Sequence, residues 1–185
     1  MTRLQKALRR FSVRDLVLIA AMAAMGIAIK AVVTPLIHLA SAPLFIPGGS
    51  LAGGLYMMWL AMAVGLTGKR GSATLAGVVQ AIIVIITGIG GSHGLFSLVS
   101  YTLPGLAVDA WLLLSRHRLC CLPCAFVSCL LANVCGTVAT SLVFFSLPPI
   151  PLLLSLVAAA FSGGVGGVLA WHLLKAFRRF GITGE

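Results

Sequence analysis

Six apolar runs, separated by short stretches of glycine, proline or basic residues, divide this chain. Each is long enough for a helix that crosses a bilayer, which needs roughly 20 residues. The first run, residues 14–33, sets the pattern, with no charge between Leu16 and Ile29. Ala20, Ala24 and Ala28 recur at every fourth position, so they stack on one helix face, and Ala31 continues it. A stripe of small residues lets a second helix approach closely, and in lipid such packing drives association. The plainer reading is that alanine tolerates lipid.

The stretch 34–50 holds Pro35, His38, Pro43, Pro47, Gly48 and Gly49, a density that disfavours a continuous helix and predicts an outside loop. Further helices are expected at 51–67, 72–88, 95–114, 122–145 and 152–174. Pro104 should kink the fourth. The pattern predicts an all-α integral membrane protein of six transmembrane helices with both termini cytoplasmic. It divides into a basic segment 1–13, a membrane domain 14–175 and a tail 176–185.

Composition agrees with the pattern. The chain of 185 residues is 60% hydrophobic and 9% charged, with a mean hydropathy of +1.12. A water-soluble domain carries about 25% charged residues. The run 14–33 is long for the core of a cleavable signal and lacks a well-placed small-residue cleavage site.

The net charge of +10 is not scattered. Arg3, Lys6, Arg9, Arg10 and Arg14 precede the first run; Lys69, Arg70, Arg116 and Arg118 lie in alternate turns; Lys175, Arg178 and Arg179 follow the last. The positive-inside rule assigns these ends to the cytoplasm, in a plasma membrane of prokaryotic type, with anionic lipid as their partner. No nucleic-acid motif accompanies the charge, so that class is set aside. Lys30 alone stands apart.

Polar residues within the runs carry the functional expectation, because burying them in hydrocarbon is costly without partners. Lys30, Gln80, Ser100, Tyr101, Asn133 and Thr137 fall mostly in the outer halves of their helices, and His38 and His93 fall in outside loops. Together they suggest an outward-facing polar pocket for a small molecule. Each also has a structural reading. Serine and threonine commonly bond their own helix, asparagine and glutamine bridge helices, and a lysine near a helix end snorkels. Tyr56, Trp59, Tyr101 and Trp111 would stack on an aromatic ligand or form an ordinary interfacial belt.

Asp109 lies toward the inner side. It would pair with a basic residue such as Arg14 or Arg116, contact a partner, or couple transport to protons. Cys120, Cys121 and Cys124 form a CCxxC without a second CxxC, so no metal is expected. Gly163, Gly164, Gly166 and Gly167 read as close helix packing, not as a phosphate loop. No nucleophile with a base appears, so the chain is expected not to be an enzyme.

With the helix 14–33, its alanine stripe, the long stretch 34–50 and the segment Tyr101-Thr102-Leu103-Pro104-Gly105-Leu106-Ala107-Val108-Asp109, the chain resembles the substrate-binding S component of an energy-coupling factor (ECF) vitamin transporter. That resemblance implies an ABC importer in which the S component captures a vitamin or precursor under its first outside loop. Ala20, Ala24 and Ala28 would be the docking motif for a membrane T subunit that sits on two ATPases. The S component would then topple and release its load inside. The chain would bind no cofactor itself, and its partner subunits would use ATP. The general look of helices two to four resembles the branch for thiamine precursors such as hydroxymethylpyrimidine. A stand-alone secondary permease and a non-transport membrane scaffold stay open as alternatives.

Overall fold

A helix begins where its first free N–H groups find acceptors, and Ser12 with Asp15 provides them. Asp15 accepts hydrogen bonds from the Ser12 amide at 2.7 Å and hydroxyl at 2.8 Å, and the Asp15 amide donates to the Ser12 hydroxyl at 3.3 Å. This is a capping box with aspartate as the acid. The computed structural model describes residues 11–41, 48–88, 94, 96–115, 119, 121–145 and 148–181. Among these, the regular elements are helices: α1 (Val13–Ser41), α2 (Gly48–Thr67), α3 (Ser72–Thr87), α4 (Phe96–Leu114), α5 (Leu122–Thr140) and α6 (Pro149–Arg179). α5 ends in a π-helical turn, Ser141–Phe145.

Two expected boundaries fail for one reason. α1 does not stop at residue 33 but runs through Pro35 to Ser41, so the loop expected from residue 34 is helix as far as 41. α6 likewise begins at Pro149 and not at residue 152. Proline removes one donor, but in an apolar medium no water replaces the rest of the ladder, so the helix continues past it. At Pro149 and Pro151 the first turn has no intrahelical use for the missing N–H anyway. The expected loop residues 42–47 lie outside the described residues.

Among the described residues, five helices are long and apolar enough to cross a membrane. The expected sixth crossing, α3, is apolar but has only 16 residues, bounded by Gly71 and Gly88, both at positive φ (91° and 67°). It spans about 24 Å at the usual helical rise.

α2 is the axis of the bundle. It packs against all five other helices, which follow round it in the order α1, α3, α4, α5, α6. Hydrophobic on every side, it can afford no solvent face. Leu60, Ala61, Met62 and Ala63 are fully buried. Glycines set the closest approaches. Ser162 of α6 accepts from the Gly54 amide at 3.0 Å and donates to the Leu51 carbonyl at 2.6 Å. A Cβ on Gly166 would collide with the Gly54 backbone. One on Gly167 would lie 2.6 Å from the Ala125 carbonyl of α5. The glycine run therefore serves two helices at once. Large apolar side chains such as Ile86 and Phe161 cover the outer surface, as lipid contact requires.

Two contacts lock the basic end. Lys69, in the α2–α3 turn, pairs with Asp15 at 2.5 Å and so ties the start of α1 to that turn. Asp109 of α4 accepts from the Gly71 amide at 3.0 Å, the Thr74 amide at 2.8 Å and the Thr74 hydroxyl at 2.6 Å. The expected basic partner of Asp109 is thus replaced by the N-terminus of α3. Gly71 has no side chain with which to cap that helix, and free N–H groups there favour a carboxylate. Asp109→Ala should lower stability by about 1 to 2 kcal/mol, the usual worth of a helix cap. Thermal unfolding in detergent measures it, and an unchanged midpoint would show that the cap is dispensable.

Candidate binding site

Lys30 leaves the uncharged half of α1 and meets the aromatic side chains of two other helices. Its ammonium donates a hydrogen bond to the Tyr101 hydroxyl of α4. The same nitrogen lies 5.6 Å from the centre of the Tyr56 ring of α2. Tyr56 and Tyr101 are both buried, and the Tyr56 hydroxyl donates to the Gly49 carbonyl at 2.7 Å. The two described acids, Asp15 and Asp109, are committed at the opposite end of the bundle. Lys30 therefore has no carboxylate partner among the described residues. A half-buried ammonium held by a neutral hydroxyl and an aromatic ring is poorly compensated and well placed to receive a ligand acceptor.

Gln80 of α3 closes the next layer. Gly26 lies one helical turn before Lys30, on the same face. A Cβ there would overlap the Gln80 amide and lie 3.3 Å from the Tyr56 carbonyl. Lys30, Tyr56, Gln80 and Tyr101 thus converge from α1, α2, α3 and α4. Of these, Tyr56 stood out in the sequence only as one aromatic among several.

α4 and α5 add hydroxyls. Ser97 lies one turn before Tyr101 on α4, and Ser141 one turn after Thr137 on α5. Both are almost fully buried, at 1% and 3% exposure, and neither hydroxyl has a hydrogen-bond partner among the described residues. A buried hydroxyl left so costs free energy until water or a ligand satisfies it. Serine in an apolar run gives no signal that separates this state from ordinary bonding to its own helix. Ser100, by contrast, bonds the Ser97 carbonyl at 3.4 Å.

Asn133 and Thr137 are buried on α5. The Asn133 amide donates to the Ser50 carbonyl at 3.2 Å and the Ala159 carbonyl at 2.8 Å. Both its N–H donors therefore join α2, α5 and α6, and Gly53 leaves the space for its carboxamide. His38 lies within the last turns of α1, in a helix rather than a loop. His93 lies outside the described residues.

The alanine stripe points away from all of this. Ala20, Ala24 and Ala28 are exposed, and Val17 and Val32 extend the same outer surface. Ile19, Ala23 and Ile27, about 100° round the helix, form the buried face. The bundle does not use the stripe for its own packing.

A family model described as "ABC-type cobalt transport system, permease component" matches residues 14–135. The chain belongs to that family. This permease-component family accounts for α1 to α4 and the first part of α5. The fold is also that of a solved protein titled "Crystal structure of an S-component of ECF transporter". The two superpose with a TM-score of 0.78 at 19% sequence identity, over 92% of this chain and 87% of that one. No curated protein matches the chain.

Proposed function

We propose that this chain is the substrate-capture subunit of an ECF-type ABC importer and binds a vitamin or vitamin precursor. The observation that carries the reading is the convergence of Lys30, Tyr56, Gln80 and Tyr101 from four helices at the uncharged end. A thiamine-related pyrimidine such as hydroxymethylpyrimidine suits that chemistry. Its flat ring stacks on tyrosine, and its ring nitrogens and hydroxyl accept hydrogen bonds from an ammonium or an amide. A divalent cation suits it less, because the Lys30 charge opposes it and neither ring nor amide is a strong metal ligand. His38, His93, Ser100, Asn133 and Thr137 complete the proposed surroundings, Asn133 by holding α5 in place.

The basic residues of the sequence support a reading with both termini in the cytoplasm, the cluster on the outside and α3 as the sixth pass. The exposed face of Ala20, Ala24 and Ala28 docks on a membrane T subunit, and two ATPases supply the energy. A proton-coupled permease is disfavoured, because Asp109, the acid it would use, is committed to the N-terminus of α3.

Ala24→Trp should abolish co-purification with a T subunit while ligand binding stays within about twofold, since a large ring breaks close helix packing. Uptake in proteoliposomes should require the T subunit, both ATPases and ATP. Uptake by this chain alone would contradict the reading, and so would an intact complex with the tryptophan variant.

A further inference from the structure

The first turn of α5 brings two thiols together at the basic end. Cys121 is the N-cap, with extended backbone (φ −142°, ψ 158°), and Cys124 lies three residues on. The Cys121 thiol donates to the Cys124 sulfur at 2.9 Å. Cys121 is half-buried and Cys124 buried. The Arg178 guanidinium donates to the carbonyl of Leu119, two residues before Cys121, at 3.1 Å. A helix N-terminus favours negative charge, and a two-residue spacer between cysteines at such a site is the arrangement of thiol–disulfide chemistry. Cys129 is buried further along α5, and Cys135 lies beyond it.

We propose that Cys121 and Cys124 form a redox-active dithiol that closes to a disulfide by exchange with the disulfide of a low-molecular-weight thiol. The Cys121 thiolate attacks one sulfur of that disulfide, and the first small thiol leaves and takes up a proton. Cys124 then loses its proton and attacks the Cys121 sulfur, releasing the second small thiol. Two protein thiols and one small disulfide become one protein disulfide and two small thiols. The bond closes the first turn of α5 beside Ala125 and Phe126, the residues against which Gly167 and Gly164 of α6 pack. Oxidation thereby ties the N-cap of α5 to its first turn, beside the contact with α6 and independently of any ligand at the other end.

The test uses the full chain in lipid nanodiscs, equilibrated with mixtures of reduced and oxidised glutathione, trapped with N-ethylmaleimide and read by peptide mass spectrometry. The expected result is a single internal link, Cys121 to Cys124, with Cys129 and Cys135 outside it. Cys120→Ser should keep the link and Cys121→Ser should remove it. Amide exchange over residues 121–126 should slow in the oxidised form. Full alkylation of both cysteines in the most oxidising mixture would overturn the proposal. So would a link through Cys120, or a glutathione adduct at Cys121 that never resolves. The trapping in the unmutated chain decides the matter even if a variant folds poorly.

Discussion

Lys30→Met should weaken ligand capture about ten- to a hundredfold, the worth of one charge-assisted hydrogen bond in a partly buried site. Methionine keeps the length and the apolar stem of lysine, so α1 stays packed and only the ammonium is lost. The tyrosine rings and the Gln80 amide would then hold the ligand without the charge. Lys30→Arg should recover part of the affinity, because it restores donors but not the compact charge. Calorimetry with hydroxymethylpyrimidine and thiamine, alongside gel filtration of the same samples, separates lost affinity from lost fold. If the methionine variant binds as tightly as the unmutated chain, Lys30 is a structural residue and the site lies elsewhere.

Gly54→Leu should destabilise the bundle by about 3 kcal/mol, the upper range for an overpacked core. The Cβ alone would run into the Ser162 carbonyl of α6. A longer side chain must push α2 from α6, which breaks both hydrogen bonds of Ser162 to the backbone of α2. Ile86→Ala, at a residue 79% exposed, should change little by comparison. Detergent thermal unfolding of the two variants measures the contrast. Equal midpoints would show that α2 and α6 have room that their glycines do not reveal.

The centres of the helices were legible in the sequence because apolar runs alternate with basic turns, and lipid permits few other structures. Their ends were less so. Proline and glycine between residues 34 and 50 predict a break in water, but α1 runs through Pro35 because its backbone has no alternative partner in hydrocarbon. The four-residue spacing of Ala20, Ala24 and Ala28 placed them on one face, yet only packing shows which face turns outward. Lys30 stood out as the lone charge in an outer half. Its contact with Tyr101 joins residues 71 positions apart, and no local pattern encodes that. Asn133 shows the opposite difficulty: an amide that clamps three helices and an amide that faces a ligand look alike in one dimension. Asp109 was conspicuous as an acid among apolar residues, but its partners are two backbone amides and the Thr74 hydroxyl at the start of another helix, which no local pattern marks.

Native mass spectrometry of the protein, purified gently from its own host, tests the capture reading most directly. The account predicts a bound small molecule that shifts the mass of the unmutated chain and is missing from Lys30→Met. An empty spectrum that stays empty after incubation with hydroxymethylpyrimidine, thiamine and a panel of other vitamins would contradict it.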